Sequence, residues 1–194
     1  MNRVYFIRHG ATAGNLEKRY IGRTDEPLCG LGISQVERLR THNIQANRIF
    51  TSPALRTRQT SAILFPQAEP EIVENLIETD FGIFEDKNAQ ELYNSAEYRA
   101  WVDSGCQEPI PQGESIAGFK DRCCKAFQAI MQSLPDGEAA AFVIHGGCIM
   151  AVLEEFAWPK RDFYHYHIEN GSFVECEYQD SVLKLVNWAE SVSI

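Results

Sequence analysis

Three short polar segments of this chain each contain a histidine, an arginine or both. These segments are Arg8-His9-Gly10, residues 52–56 and His145-Gly146-Gly147. A phosphoryl group presents anionic oxygens on several sides, and imidazole and guanidinium groups are suitable hydrogen-bond donors to them. Glycine lets the backbone approach such an anion closely, because it has no side chain to intervene. The residue types therefore predict a site for a phosphate ester.

A stretch with the composition of a buried strand precedes each polar segment. The predicted strands are residues 3–7, 48–51 and 139–144. In an open α/β sheet the carboxyl ends of parallel strands lie along one edge, where ligands bind. Residues that are distant in sequence are thus expected to converge at this edge, and the N-termini of the following helices would add donors.

Helical patterns alternate with these strands. Apolar spacing and capping residues predict helices over residues 32–44, 53–64, 89–103, 115–134 and 146–157. Ser52 is the predicted N-cap of the second helix, and Pro53 is its predicted first residue. Residues 172–178 and 182–188 are predicted to be paired strands. The alternation predicts a three-layer α/β fold, with a mostly parallel central sheet and helices on both faces.

The composition is typical of one compact domain, which we expect to span residues 1–194. The net charge of −9 disfavours nucleic acid and membranes as partners, because anionic partners are bound through excess lysine and arginine. The six cysteines include no Cys-x-x-Cys pair, so we expect reduced thiols and no structural metal. No signal peptide or membrane span is predicted, and the expected location is cytoplasmic. The sequence carries no signal of oligomeric state.

The motifs resemble those of the histidine phosphatase family, also called the phosphoglycerate mutase-like family. Six segments are similar to the family motifs and follow the family order: residues 8–15, 22–28, 52–60, 78–85, 111–115 and 145–147. Six motifs in this order are far more specific than a single Arg-His-Gly. The resemblance implies the phosphoglycerate mutase-like fold and a small phosphate ester as the partner molecule.

The resemblance also implies a role for individual residues. The implied catalytic residues are Arg8, His9, Arg56, Glu78 and His145, and the implied substrate-binding residues include Arg8, Asn15, Ile21, Gly22, Arg56, Glu78, His145 and Gly146. His9 would carry the phosphoryl group, while Glu78 would protonate the leaving alcohol and then deprotonate water. Flanking arginines would keep the imidazole neutral and attract the phosphate. No metal or cofactor takes part in this implied mechanism.

Two of these assignments have competitors nearby in the sequence. Arg58 competes with Arg56, and the spacing from Ser52 favours Arg56. Three other carboxylates lie near Glu78, namely Glu74, Asp80 and Glu85. We expect Glu85 to be structural.

Other histidines and aromatic residues match no motif. Surface or packing roles are expected for three histidines: His42, His165 and His167. Core packing is the first interpretation for three aromatic residues, and a wall for the organic part of the substrate is the alternative: Tyr93, Tyr98 and Trp101.

The sequence also indicates the type of reaction and the organic part of the substrate, which is the alcohol of the phosphate ester. Mutases of the family usually carry a longer, basic segment after the acid residue, and its absence here implies hydrolysis. Residues 98–101 and Asn170-Gly171 look similar to α-ribazole phosphatases of cobalamin synthesis. A broad-specificity sugar-phosphate or phosphoglycerate phosphatase, a phosphoglycerate mutase and a non-catalytic phosphate-binding module are the alternatives. Ile21, Asp86 and Met150 depart from the family pattern and leave the alcohol open.

Overall fold

A seven-stranded sheet forms the centre of the protein in the computed structural model, which describes residues 1–188. Residues 189–194 of the expected domain lie outside the described residues. The strands are β1 (Asn2–Arg8), β2 (Arg48–Thr51), β3 (Glu71–Ile72), β4 (Ala139–Ile144), β5 (Ala157–Trp158), β6 (Phe173–Gln179) and β7 (Val182–Trp188). Their order is β3-β2-β4-β1-β6-β7-β5. Among these strands only β6 runs antiparallel to its neighbours, which confirms the mostly parallel sheet.

Helices cover both faces of this sheet. The α-helices are α1 (Ala13–Leu16), α2 (Gly30–Leu39), α3 (Leu55–Leu64), α4 (Ala89–Leu92), α5 (Ala96–Asp103), α6 (Ile116–Ser133) and α7 (Gly146–Phe156). Short 3₁₀ turns occupy Arg40–His42, Glu74–Leu76, Gly82–Phe84 and Phe163–Tyr166. Residues of α6 and α7 pack on one face, and residues of α2 and α3 pack on the other, so the predicted three layers are confirmed. None of the helices within residues 1–188 is long and apolar enough to cross a bilayer.

The two cores arise from the alternation of side chains along β1 and β4. Val4 and Phe6 contribute to the core under α6 and α7, whereas Tyr5 and Ile7 contribute to the core under α2 and α3. Strand β4 lies between β2 and β1 and is apolar throughout, as expected for a strand covered on both faces. This covering fixes the carboxyl ends of β1, β2 and β4 next to one another.

The predicted start of α3 is wrong. The helix begins at Leu55, after an N-cap at Ala54 that makes no side-chain capping bond. Ser52 does not cap the helix, because its hydroxyl bonds the imidazole of His145 across the sheet edge, at 2.7 Å. The carboxylate of Asp25 instead accepts from the amide of Leu55 at 2.7 Å. A distant loop thus supplies the cap that the local sequence predicted for Ser52.

Three other helix boundaries also differ from the prediction. The helix predicted over residues 32–44 ends at Leu39, and a 3₁₀ turn and left-handed Asn43 (φ 49°) follow it. The helix predicted over residues 89–103 is two helices, because Asn88 and Ser95 each cap a new N-terminus. Helix α7 ends at Phe156, and the next two residues pair with β7 as β5.

Phe142 of β4 provides a direct test of the larger core. Its ring lies 5.1–5.6 Å from the rings of Phe50, Phe127 and Phe6. We predict that Phe142→Ala lowers the free energy of unfolding by about 3–5 kcal/mol, because it leaves a cavity among these rings. Urea denaturation measures this loss. The matched control is Tyr93→Ala, since Tyr93 is 70% exposed and its removal should change stability by only about 0.5 kcal/mol. Equal losses in both variants would contradict this account of the core.

Candidate active site

The two predicted histidines meet at the sheet edge. His9 follows β1 and His145 follows β4, which is its parallel neighbour. Their ring centroids are 5.2 Å apart, in an edge-on arrangement. Both side chains are buried, with 4% of His9 and none of His145 exposed. Parallel pairing therefore joins two motifs that are more than a hundred residues apart.

The hydrogen bond made by His9 fixes its reactive nitrogen. Its Nδ1 lies 2.7 Å from the carbonyl of Gly10, which can only accept a hydrogen bond. Nδ1 therefore carries the proton, and Nε2 presents a lone pair. Burial, and then the cations of Arg56 and Arg8, lower the pKa of His9 well below its usual value. The imidazole is thus neutral and suited to nucleophilic attack.

His145 differs from His9 in which ring nitrogen bonds the protein. Its Nε2 is bonded, and its Nδ1 is the available atom. Its Nε2 is 2.7 Å from the hydroxyl of Ser52, and that hydroxyl accepts from the amide of Ala54 at 3.3 Å. When Ser52 also accepts from the Thr57 hydroxyl at 2.8 Å and donates its own proton to Nε2, the imidazole proton lies on Nδ1. Burial, and then the cation of Arg56, lower the pKa of His145 and keep this ring neutral. The result is one N–H donor directed by a buried serine.

Arg8 is anchored through a single terminal nitrogen. Its Nη1 donates to the carbonyl of Ile168 at 2.7 Å and lies 3.2 Å from Nε2 of His167. Gly146 permits close packing on the guanidinium, since a Cβ there would be 3.2 Å from Cζ of Arg8. Burial lowers the pKa of Arg8, although a guanidinium remains charged.

Arg56 is the buried member of the competing arginine pair, with only 1% of its surface exposed, whereas Arg58 is exposed. Its Nη1 donates to the carbonyl of Thr24 at 2.9 Å, and its Nη2 donates to the carbonyl of Gly22 at 2.9 Å and approaches that of Ile21 at 3.4 Å. The backbones of Ile21 and Gly22, two of the residues predicted to bind substrate, therefore hold Arg56. Burial lowers the pKa of Arg56 as well.

Hydrogen-bond donors without a partner mark this site. Within residues 1–188, five buried side-chain polar atoms have no partner, and three of them are Nε of Arg8, Nε of Arg56 and Nδ1 of His145. Leaving such an atom unpaired costs about 1–3 kcal/mol, and more when the group is charged. The three atoms belong to side chains around His9, two of which are cationic. A bound anion that accepts from all three would remove this cost.

Asn15 adds a donor of defined orientation. Its Oδ1 accepts from the amide of Thr12 at 3.1 Å and from Nδ2 of Asn170 at 3.2 Å. A backbone amide can only donate, so the oxygen of the Asn15 amide must face Thr12. The Nδ2 group of Asn15 is then the side available to a ligand.

Glu78 lies at the N-terminus of α7. Its Oε2 accepts from the amide of Gly147 at 2.9 Å, and its Oε1 accepts from the amide of Thr79 at 2.8 Å. Arg122 fixes this segment from behind by donating to the carbonyls of Ile77 at 2.7 Å and Glu78 at 3.0 Å. The carboxylate therefore faces the same space as Arg8 and can exchange a proton there.

The competing carboxylates have other contacts. Glu85 accepts from the amides of residues 22–24, from the Thr24 hydroxyl and from the amide of Phe81, so it has the structural role expected of it. Asp80 accepts from the amide of Gly82 at 2.9 Å. Asp86, where the family usually has glycine, has a φ of 55°, the left-handed region that favours glycine.

A cavity of about 240 Å³ opens beside the site. Arg8, Glu78 and Gly146 of the site are among the residues that line it. Its walls are mainly apolar and include Tyr20, Phe81, Trp101, Ile110, Ile116, Met150, Phe163 and Tyr164. The predicted aromatic group is therefore divided: Trp101 lines this cavity, Tyr98 is buried against Phe84, and Tyr93 is exposed.

Two residues that contact the site were not predicted from the sequence. His167 was expected to have a surface or packing role, but it lines the cavity and contacts Arg8. Asn170 contacts Asn15 and also donates to the carbonyl of His9 at 3.1 Å. No spacing rule could have placed them there, since 159 residues separate His167 from Arg8. The Asn170-Gly171 pair was the one local signal of this segment. His42 and His165 pack against Phe173 and Trp188 and lie outside the site.

Comparisons with known proteins show the family of this chain and agree with its fold. A family model described as "Histidine phosphatase superfamily (branch 1)" matches residues 4–191. The chain is 30% identical over 198 residues to "Probable phosphoglycerate mutase GpmB" of Escherichia coli O1:K1 / APEC, covering 97% of this chain and 90% of that protein. The crystal structure of the alpha-ribazole phosphatase from Shigella flexneri matches with a TM-score of 0.85 at 22% identity, covering 95% of this chain and 94% of that chain. Phosphoglycerate mutase from Thermus thermophilus matches with a TM-score of 0.73 at 27% identity, covering 96% of this chain and 99% of that chain.

The protonation state of the two site histidines can be measured directly. We predict that ¹⁵N NMR shows His9 and His145 neutral and protonated on Nδ1 at pH 6.5, because burial and the arginine cations lower both pKa values below 6.5. In urea the same rings should titrate near their ordinary value of about 6.5. The unfolded chain then binds more protons below this pH, so stability is lost as the pH falls through 6.5. A His9 resonance that titrates above pH 6.5 in the folded protein would contradict the geometry.

Proposed function

The chain belongs to branch 1 of the histidine phosphatase superfamily, and on this basis we propose that it hydrolyses a small phosphomonoester through a phosphohistidine intermediate on His9. Proteins of this superfamily are phosphatases or mutases. One observation carries the proposal: three buried donors without partners belong to side chains around a neutral imidazole. Such a group of atoms suits an anionic phosphoryl group together with its nucleophile.

In the first step, Nε2 of His9 forms a bond to phosphorus and the bond from phosphorus to the ester oxygen breaks. Glu78 gives its proton to the departing alkoxide, so the alcohol leaves neutral. Nε of Arg8 and Arg56 and Nδ1 of His145 donate to the equatorial oxygens, where the charge of the transition state is spread. Unit charges about 4 Å apart interact by about 4 kcal/mol at an effective dielectric constant of about 20.

In the second step, water replaces the alcohol. The carboxylate of Glu78 takes a proton from the water, whose oxygen bonds to phosphorus while the bond from phosphorus to Nε2 breaks. Inorganic phosphate leaves, and His9 and Glu78 return to their starting states. The same donors hold the phosphoryl oxygens in both steps, so the protein does not need to rearrange between them.

The cavity beside the site supports α-ribazole 5′-phosphate as the substrate. Among the described residues that line the cavity, Arg8 is the only arginine or lysine. A carboxylate such as that of a phosphoglycerate would be desolvated there without a second cation, at a cost of several kcal/mol. The flat benzimidazole of α-ribazole is apolar and can lie against Trp101 and the other aromatic walls. The structure named as an alpha-ribazole phosphatase is 22% identical and supports only the shared fold, so this assignment depends on the cavity.

Covalent labelling tests the intermediate. We expect a brief reaction with ³²P-labelled substrate to leave phosphate on the protein that is released by acid, as phosphohistidine is. His9→Ala should abolish both the label and the turnover, because it removes the attacking nitrogen. The matched control is His42→Ala, which lies outside the site and should keep both. Label that survives acid, or turnover that is lost on adding a chelator, would overturn the mechanism.

Exchanging one cavity residue tests the substrate. We predict that kcat/KM for α-ribazole 5′-phosphate exceeds that for 3-phosphoglycerate, which the name of the 30% identical relative suggests as the competing substrate. Met150→Arg should raise kcat/KM for 3-phosphoglycerate by about tenfold and lower it for α-ribazole 5′-phosphate, because the new cation can pair with the carboxylate. The control Val186→Arg adds the same charge at an exposed position on β7. A wild-type preference for 3-phosphoglycerate would count against the assignment.

A further inference from the structure

Residues 167–171, which precede β6, contact three residues of the candidate site, namely Arg8, His9 and Asn15. We propose that His167 and Asn170 are positioning residues, which determine which N–H groups of Arg8 and Asn15 face the phosphoryl group. This inference rests on the proposed phosphate site and adds two residues to it. We call residues 167–171 the clamp segment.

His167 and the backbone of Ile168 occupy one terminal nitrogen of Arg8. Nη1 can only donate, so Nε2 of His167 at 3.2 Å must accept, and the carbonyl of Ile168 accepts at 2.7 Å. The edge of the guanidinium formed by Nε and Nη2 is left, and Nε is one of the buried atoms without a partner. Two parallel N–H groups on one edge match two oxygens of a phosphate. The clamp segment thus selects the edge of Arg8 that meets the substrate.

Partial desolvation, and then the Arg8 cation, lower the pKa of His167, although much of its side chain is exposed. Both effects favour the neutral imidazole, which has the lone pair that accepts from Arg8. Its own tautomer follows from the same contact, since an accepting Nε2 leaves the proton on Nδ1. A residue that merely filled space at this position would not need a lone pair.

Asn170 reinforces the orientation that the amide of Thr12 gives to the Asn15 amide. Oδ1 of Asn15 accepts from the amide of Thr12 and from Nδ2 of Asn170, which occupies both of its lone pairs. Nδ2 of Asn170 also donates to the carbonyl of His9 at 3.1 Å, and the amide of Gly171 donates to the same carbonyl at 3.0 Å. The oxygen of the Asn15 amide is thereby fixed, which leaves its NH₂ group as the donor that we assign to the phosphoryl group, and the backbone of His9 is fixed by the same residues.

Binding of inorganic phosphate, measured by calorimetry, tests the role of His167. We expect His167→Leu to raise the Kd for phosphate by about tenfold, because Arg8 loses an acceptor and can turn away. His167→Gln places an amide oxygen near the position of Nε2 and should bind within about twofold of wild type. The control His165→Leu makes the same change two residues earlier, where the ring packs on Tyr166 and Trp188, and should bind as wild type does.

A double-mutant cycle tests whether Asn170 acts through Asn15. We expect Asn170→Ala and Asn15→Ala each to weaken phosphate binding by about tenfold. The double variant should bind about as well as Asn15→Ala alone, because Asn170 has no orientation left to set. Independent effects that multiply would instead indicate a direct contact or a general loss of structure, and would overturn the proposal.

Two further outcomes would also overturn it. One is a His167→Gln variant that binds phosphate as weakly as His167→Leu, and the other is a His165→Leu variant that is equally impaired. Phosphate binding requires no turnover, so the two proposals can fail separately. If the wild-type protein hydrolyses no ester, the proposed function is wrong, but the phosphate affinities of the variants still test the role of the clamp segment. If the wild-type protein hydrolyses esters, but His167→Leu and Asn170→Ala bind phosphate as the wild-type protein does, only the proposed role of the clamp segment is wrong.

Discussion

The site depends on two guanidinium groups, one buried and one partly buried, whose hydrogen-bond partners carry no negative charge. The terminal nitrogens of Arg56 bond backbone carbonyls, and that of Arg8 bonds a carbonyl and the neutral ring of His167. Arg122, by contrast, is paired with the carboxylate of Glu114 at 2.6 Å. Burying a cation without a counter-ion is costly, and a bound anion would offset that cost. In the proposed function this positive charge serves the phosphoryl group, in a chain whose net charge is −9.

Carboxylates nearby shape the site without neutralising it. Glu85 gathers the amides of the loop at residues 22–24, and the carbonyls of that loop then face Arg56. Glu114 pairs with Arg122, which in turn holds the backbone beside Glu78. Glu85 and Glu114 therefore affect the proposed phosphate position only indirectly, through the backbone groups that they help to place. After burial, the cations of Arg56 and Arg8 lower the pKa of His9, so the proposed anion binding and the proposed activation of the nucleophile would have a common origin.

The part of the site assigned to the phosphate (the phosphate side) and the part assigned to the alcohol (the alcohol side) differ in polarity. Buried, hydrogen-bonded groups at the ends of β1, β2 and β4 form the first, whereas apolar side chains such as Trp101, Met150 and Phe163 form the second. A phosphate side of this kind can serve any phosphomonoester, because it contacts only the group that they share. Relatives that share the fold can therefore bear the names of different enzymes. The identity of the alcohol depends on a few apolar contacts that can change while the phosphate side stays the same.

The sequence alone determined five of the seven strands and the motifs of the proposed phosphate site, because these depend on apolar runs and spacings of a few residues; β4, for example, has the predicted bounds. The two-residue strands β3 and β5 were not predicted, since they are too short to form such a run. The sequence also favoured Arg56 over Arg58, but only burial in the tertiary structure decided between them. The start of α3 and the contacts of His167 and Asn170 could not be predicted. In each case a side chain bonds a partner from a distant part of the chain, and the order of strands in the sheet decides which groups meet.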